Sequence, residues 1–123
     1  MNIEQRTVGD VVILSVAGDI TMNTNEATRV SDKVRSALQQ GQCRLVLDLG
    51  HVRYVDSSGL GDLVQAYTAA KNRGGAIKLV NVGKRLNDLL VMTKLLTVFD
   101  CYDRESDALA SFDSLDLPTP GSV

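Results

Sequence analysis

The sequence predicts an α/β fold: a mixed, mostly parallel β-sheet, opened by an antiparallel hairpin and covered by about four helices. Two patterns carry this prediction. Short apolar, β-branched runs alternate along the chain with stretches whose apolar residues recur at three- and four-residue steps, the signature of strands alternating with helices. The first two runs flank a Gly9-Asp10 turn, which makes them a hairpin.

Val11 to Val16 is apolar and β-branched, lies between Gly9-Asp10 and the turn-like Gly18-Asp19, and reads as a buried strand paired with Ile3 to Val8. From Asn23 the period changes. Ala27, Val30, Val34 and Leu38 form one face of a helix, Asn23 with Glu26 resembles a capping box, and Gly41 supplies the stop. Leu45 to Leu49 is a second buried strand. Tyr54-Val55 ends just before Ser57-Ser58-Gly59, and Leu60, Leu63, Val64 and Tyr67 then mark a second helix closed by Gly74-Gly75. Ile77 to Val82 is a further strand, Leu86, Leu89 and Leu90 suggest a short helix, and Thr97 to Phe99 a short strand. Asp103 caps a last helix carrying Ala108, Leu109 and Phe112. Residues 1–113 therefore form one domain, and 114–123, with Pro118, Pro120 and Gly121, a flexible tail.

Composition narrows the function. The 123 residues are 44% hydrophobic and 23% charged, ordinary for a domain with one core. Thirteen Lys and Arg against fifteen Asp and Glu, with no Trp and 4% aromatics, lack the basic excess and stacking surfaces that nucleic acid demands. Cys43 and Cys101 are too few for a disulfide scaffold or a cysteine-built zinc site, and are expected as reduced thiols in the cytoplasm. His51, the one histidine, reads as a loop residue, so no metal and no cofactor are expected. Met1 to Thr7 carries Glu4 and Arg6 where a signal peptide needs an apolar run, and Val11 to Ala17 is too short to span a bilayer. Neither secretion nor membrane insertion is expected.

In parallel α/β sheets functional groups gather where strands end and helices begin. Gly18 to Thr24, Val52 to Gly61 and Val82 to Arg85 are such loops. Within the second, Asp56-Ser57-Ser58-Gly59-Leu60-Gly61 places a carboxylate, two hydroxyls and two glycines at a strand-to-helix junction, beside four unpaired amides and the positive end of the helix dipole. A phosphate on a serine there would meet those donors directly. Asp56, Ser57 and Ser58 are each also preferred N-caps, so spacing alone leaves a plain cap and a modification site both open. Enzymatic readings fail on spacing. A hydrolase elbow needs Gly two residues before its serine, where the chain has Val55 or Asp56. A Walker loop at Gly83-Lys84 needs Ser or Thr next, where the chain has Arg85, and the dinucleotide fingerprint needs a third glycine where Val64 stands.

The run Tyr-Val-Asp-Ser-Ser-Gly-Leu-Gly resembles the STAS domain family, and in particular bacterial anti-sigma factor antagonists. So do Val16 to Ile20, Leu45 to Leu49 and Lys71 to Leu79, and the likeness covers nearly the whole chain. The resemblance implies a STAS-type single domain that is not an enzyme. It implies that Ser57, directly after the aspartate, is phosphorylated by a partner that is both anti-sigma factor and serine kinase, and reset by a serine phosphatase. It also implies a partner-binding surface of Asp19, Thr21, Asn23, Asp56, Ser57, Ser58, Gly59, Leu60 and Gly61, the glycines allowing close approach of a partner. One departure stands out: Thr21 occupies the place where many antagonists carry a second acidic residue, and a hydroxyl in a turn readily bonds nearby backbone. The competing expectation is a STAS adaptor subunit of a transporter or stress-sensing assembly, with the same loop as a permanent contact.

Overall fold

The computed structural model describes residues 2–21 and 29–116, with side chains to Phe112. Five strands, β1 (Asn2–Val8), β2 (Val11–Ile20), β3 (Arg44–Val55), β4 (Ala76–Val80) and β5 (Asp100–Tyr102), form one sheet in sequential order. β1 and β2 are antiparallel and every later pairing is parallel. Four helices connect and follow them: α1 (Val30–Gln39), α2 (Ser57–Asn72), α3 (Lys84–Met92) and α4 (Glu105–Asp116). This is the mixed sheet with an opening hairpin and four helices that the sequence predicts.

Alternation along the strands divides the core in two. Val12, Leu14 and Val16 of β2, with Leu45, Leu47 and Leu49 of β3, face the large cluster built with α1, α2 and α3. Val11, Ile13, Val46 and Val80 face the other way, onto Ala108 and Phe112 of α4. Lys78 also points to the α4 side. It is buried, with its ammonium 3.2 Å from Asp100 and over the rings of Phe112 and Tyr102, so a cation the sequence hides inside an apolar run is held by a carboxylate and two aromatic faces.

Several boundaries move, each for a physical reason. β2 runs through Gly18-Asp19 instead of turning there, because Gly18 adopts φ +100° at a register shift that keeps the strand paired. β3 continues through residues read as a loop, so His51 is an exposed strand residue. Arg29 is extended, so α1 begins at Val30; Asn23, Glu26 and Ala27, placed in an earlier first turn, lie outside the described residues. β4 stops at Val80 because Asn81 turns into the left-handed region, φ +56°, with its amide on Asp48 at 3.0 Å. The last strand is 100–102 rather than 97–99, and Phe99 instead anchors a turn in the core, edge-on to Tyr67 at 5.4 Å. Residues 117–123 of the expected tail lie outside the described residues.

Candidate functional site

The site forms where β2 and β3 end side by side. Ile20 pairs with Val55, the last residue of β3, and the Asp56 amide donates to the Ile20 carbonyl at 3.4 Å. This register brings Asp19, Ile20 and Thr21 beside the start of α2, joining two of the three loops singled out from the sequence. Asn23 lies outside the described residues.

Asp56 is the N-cap of α2. Its backbone is extended, its carboxylate accepts from the Gly59 amide at 2.6 Å, and its carbonyl accepts from the Leu60 amide at 2.8 Å as the first helical bond. The four free amides expected at the junction are therefore two, those of Ser57 and Ser58, since Asp56 and Gly59 already donate to Ile20 and to the cap. With Asp56 as cap, both serines are exposed, and neither hydroxyl has a hydrogen bond among the described residues. Neither exposure nor capping distinguishes Ser57 from Ser58.

Gly59 packs inward against the end of β2. It is buried, and a Cβ built there would lie 1.8 Å from the Ile20 carbonyl oxygen and 2.6 Å from its carbon, so this glycine lets α2 sit against the end of β2. Leu60 is likewise buried, in the main core, where it fixes the start of the helix. Gly61 is different: a Cβ there meets nothing within 4 Å. The exposed groups are thus Ser57 and Ser58, with Asp19, Thr21, Asp56 and Gly61 half-buried alongside.

Charges of both signs surround this surface. Arg53 lies 3.6 Å from Asp19 across the β2–β3 pair, and Arg85 sits 5.7 Å from the centre of the exposed Tyr54 ring. The Asp19–Arg53 pair is open to solvent and adds at most about 1 kcal/mol to stability. Among the described residues no nucleophile and base come together here. Away from the site, burial and then the Asp100 carboxylate raise the Cys101 thiol above its ordinary range, which favours its protonated form.

One residue near the site escapes the sequence reading altogether. Asp62, buried on α2, accepts from the Val30 amide at 3.0 Å, the Ser31 amide at 3.3 Å and the Ser31 hydroxyl, and so caps α1 from the neighbouring helix. The signal was its position: Gly59, Asp62, Ala66 and Ala70 recur at helical spacing on one buried face of small residues.

Comparison with known proteins fits this geometry. A family profile described as STAS domain matches residues 2–108. The chain is 29% identical over 114 residues to an anti-sigma F factor antagonist of Paenibacillus polymyxa, covering 92% of this chain and 96% of the relative. It is 30% identical over 100 residues to an anti-sigma-B factor antagonist of Bacillus subtilis, covering 81% of this chain and 89% of the relative. A crystal structure of an anti-sigma factor antagonist from Mycobacterium paratuberculosis shares the fold, with a TM-score of 0.77 at 24% identity over 89% of this chain and 92% of that one. With the fold, the Asp-Ser-Ser-Gly junction and the profile match in agreement, the chain belongs to the STAS domain family.

Proposed function

We propose that the protein is an anti-sigma factor antagonist acting in the cytoplasm, and that its state is set by phosphorylation of Ser57. Unmodified, it binds an anti-sigma factor through the exposed start of α2 and the adjoining end of β2, and a sigma factor is released. That anti-sigma factor is also the serine kinase, and a serine phosphatase restores the binding form. The observation that carries this reading is Ser57 itself: an exposed hydroxyl at the first position of α2, free because Asp56 does the capping, in a chain whose relatives are anti-sigma factor antagonists. The choice of Ser57 over Ser58 rests on the family resemblance.

A phosphate adds about 1.5 to 2 negative charges. Held about 5 Å from one partner carboxylate, a charge of −2 is repelled by about 1.7 kcal/mol even at the dielectric of water. About 1.4 kcal/mol is tenfold in affinity, so modification can release the partner with no refolding of the domain. The open Ser57 and Ser58 amides and the dipole of α2 accommodate the added charge where it sits.

A pull-down comparing wild type with Ser57→Asp identifies the anti-sigma factor, which is then incubated with the protein and ATP. Phosphopeptide mapping is expected to place the phosphate on Ser57. Ser57→Ala should bind and resist phosphorylation, Ser57→Asp should bind more weakly, and Ser58→Ala should still be modified. Phosphate on Ser58 alone refutes the residue assignment, and no phosphate at all refutes the switch. Gly61→Gln tests the surface separately: with open space around its Cβ it should fold normally yet bind the anti-sigma factor at least about tenfold more weakly, a loss of about 1.4 kcal/mol. Wild-type affinity in this variant would place recognition elsewhere.

A further inference from the structure

The outer edge of β1 is unpaired among the described residues. β1 is the first strand in the sheet order, pairs only with β2 among the described residues, and is exposed along nearly its whole length. Its hairpin closes with the two-residue turn Gly9-Asp10, Gly9 at φ +59°, so Val8 and Val11 form the hydrogen-bonded closing pair. Alternation then turns the main-chain N–H and C=O groups of Ile3, Gln5 and Thr7 away from β2, toward the open edge.

We propose that this edge pairs, antiparallel, with the β1 edge of a second copy of the chain, joining the two sheets into one. The charges select both the occupant and the register. Outward-facing residues must meet outward-facing residues, and only with Gln5 opposite Gln5 of the second copy do Ile3, Gln5 and Thr7 all find partners. In that register Glu4 stands opposite Arg6 of the second copy, and Arg6 opposite its Glu4. Sliding the strands by two residues in one direction sets Glu4 against Glu4, and in the other Arg6 against Arg6. Like charges directly opposite are destabilising, so the strand is complementary to itself in one register and repels itself in the neighbouring two.

Both charged side chains are available. Arg6 lies on the same face as its cross-strand neighbour Ile13 and pairs with Glu105 of α4, yet its side chain remains 53% exposed. Glu4 is exposed and makes no ion pair among the described residues. In the paired dimer Glu4 of the second copy reaches the free side of the Arg6 guanidinium, which then bridges two carboxylates. A strand edge meant only to repel other strands needs charges of one sign. One acid and one base two residues apart instead specify a copy of themselves.

Sedimentation of the full chain across a concentration series reads this directly, with a dimer expected to grow in toward millimolar protein. Gln5→Pro removes the central outward N–H while leaving the β2 ladder intact, since proline is tolerated on an edge where its nitrogen faces solvent. It should keep the thermal melt and lose the dimer. Glu4→Arg and Arg6→Glu should each dimerise at least tenfold more weakly alone, because each sets like charges opposite. Mixed, they should recover wild-type association, since both cross-pairs are again opposite in sign. A wild type that stays monomeric, a dimer indifferent to Gln5→Pro, or folded charge variants that do not rescue one another would each overturn the proposal. Should Arg6→Glu lose its fold with the Glu105 contact, Gln5→Pro and Glu4→Arg, which leave that contact alone, still decide it.

Discussion

Replacing Gly59 with alanine lowers the melting temperature by about 10 °C. The added Cβ would fall 1.8 Å from the Ile20 carbonyl oxygen and 3.1 Å from the Ile20 Cγ2, and the obstruction is main chain at the end of a paired strand, not a side chain that can swing away. Either α2 moves outward or the end of β2 does. Forced overpacking of this kind costs about 1–3 kcal/mol and occasionally more, and the Asp56–Ile20 backbone bond is strained with it. A contact of 1.8 Å with main chain belongs at the upper end of that range, and alanine's advantage over glycine inside a helix returns about 1 kcal/mol, so the net loss is about 2 kcal/mol. Gly61→Ala is the control: two residues further along the helix, with nothing within 4 Å of its Cβ, it gains the helix propensity without the clash and should melt at or slightly above wild type. The same displacement separates Asp19 and Thr21 from Ser57, so Gly59→Ala should lose partner binding along with stability. Equal melting of the two variants would show that the β2–α2 contact has slack.

What the sequence makes legible follows from where periodicity survives. Val12, Leu14 and Val16 alternate without interruption, and β2 and its hairpin are visible for that reason. β3 begins equally well, with Leu45, Leu47 and Leu49 facing the main core, but the next residues on that face are Val52 and Val55, three apart each time. Two register shifts between β2 and β3 insert the extra residues, so alternation fails in the sequence while the strand continues in space. A loop is the natural reading of such a stretch. The strand in fact carries the backbone to Asp56, and this rigid approach fixes the serine junction.

The site itself shows the same division. Asp56, Ser57, Ser58 and the glycines stand out in sequence because three capping residues and two glycines meet at one junction, yet nothing in the pattern says which residue caps. The choice is made by geometry: Asp56 has the extended backbone of an N-cap and reaches the Gly59 amide. Gly59 and Gly61 are two residues apart and look alike in sequence. On a helix they face different ways, one into the end of β2 and one into open space, and their roles divide accordingly.

Asp62→Ala is expected to be the most damaging single substitution at the α1–α2 contact, with a loss of about 3–5 kcal/mol. The carboxylate is buried and accepts from two main-chain amides and one hydroxyl, so its removal leaves the Val30 and Ser31 amides and the Ser31 hydroxyl without an acceptor in a place water does not reach. Among the described residues nothing at the start of α1 replaces it, since the N-cap Arg29 makes no side-chain cap bond and Asp32 reaches back only to the Arg29 amide, at 3.2 Å. A negative charge at the start of α1 also opposes the positive end of its dipole, an interaction that goes with the carboxylate. The three perturbations should therefore rank in order. Asp62→Ala loses all the acceptors and the charge. Asp62→Asn keeps one oxygen and loses the charge, for about half the effect. Ser31→Ala removes only the hydroxyl bond and costs about 1 kcal/mol. Denaturant midpoints give the ranking, and amide exchange at Val30 and Ser31 should accelerate in Asp62→Ala more than exchange in β2 or β3, since the damage begins at one helix end. An Asp62→Ala protein within about 1 kcal/mol of wild type, with α1 amides still protected, would mean that another group caps α1 in solution.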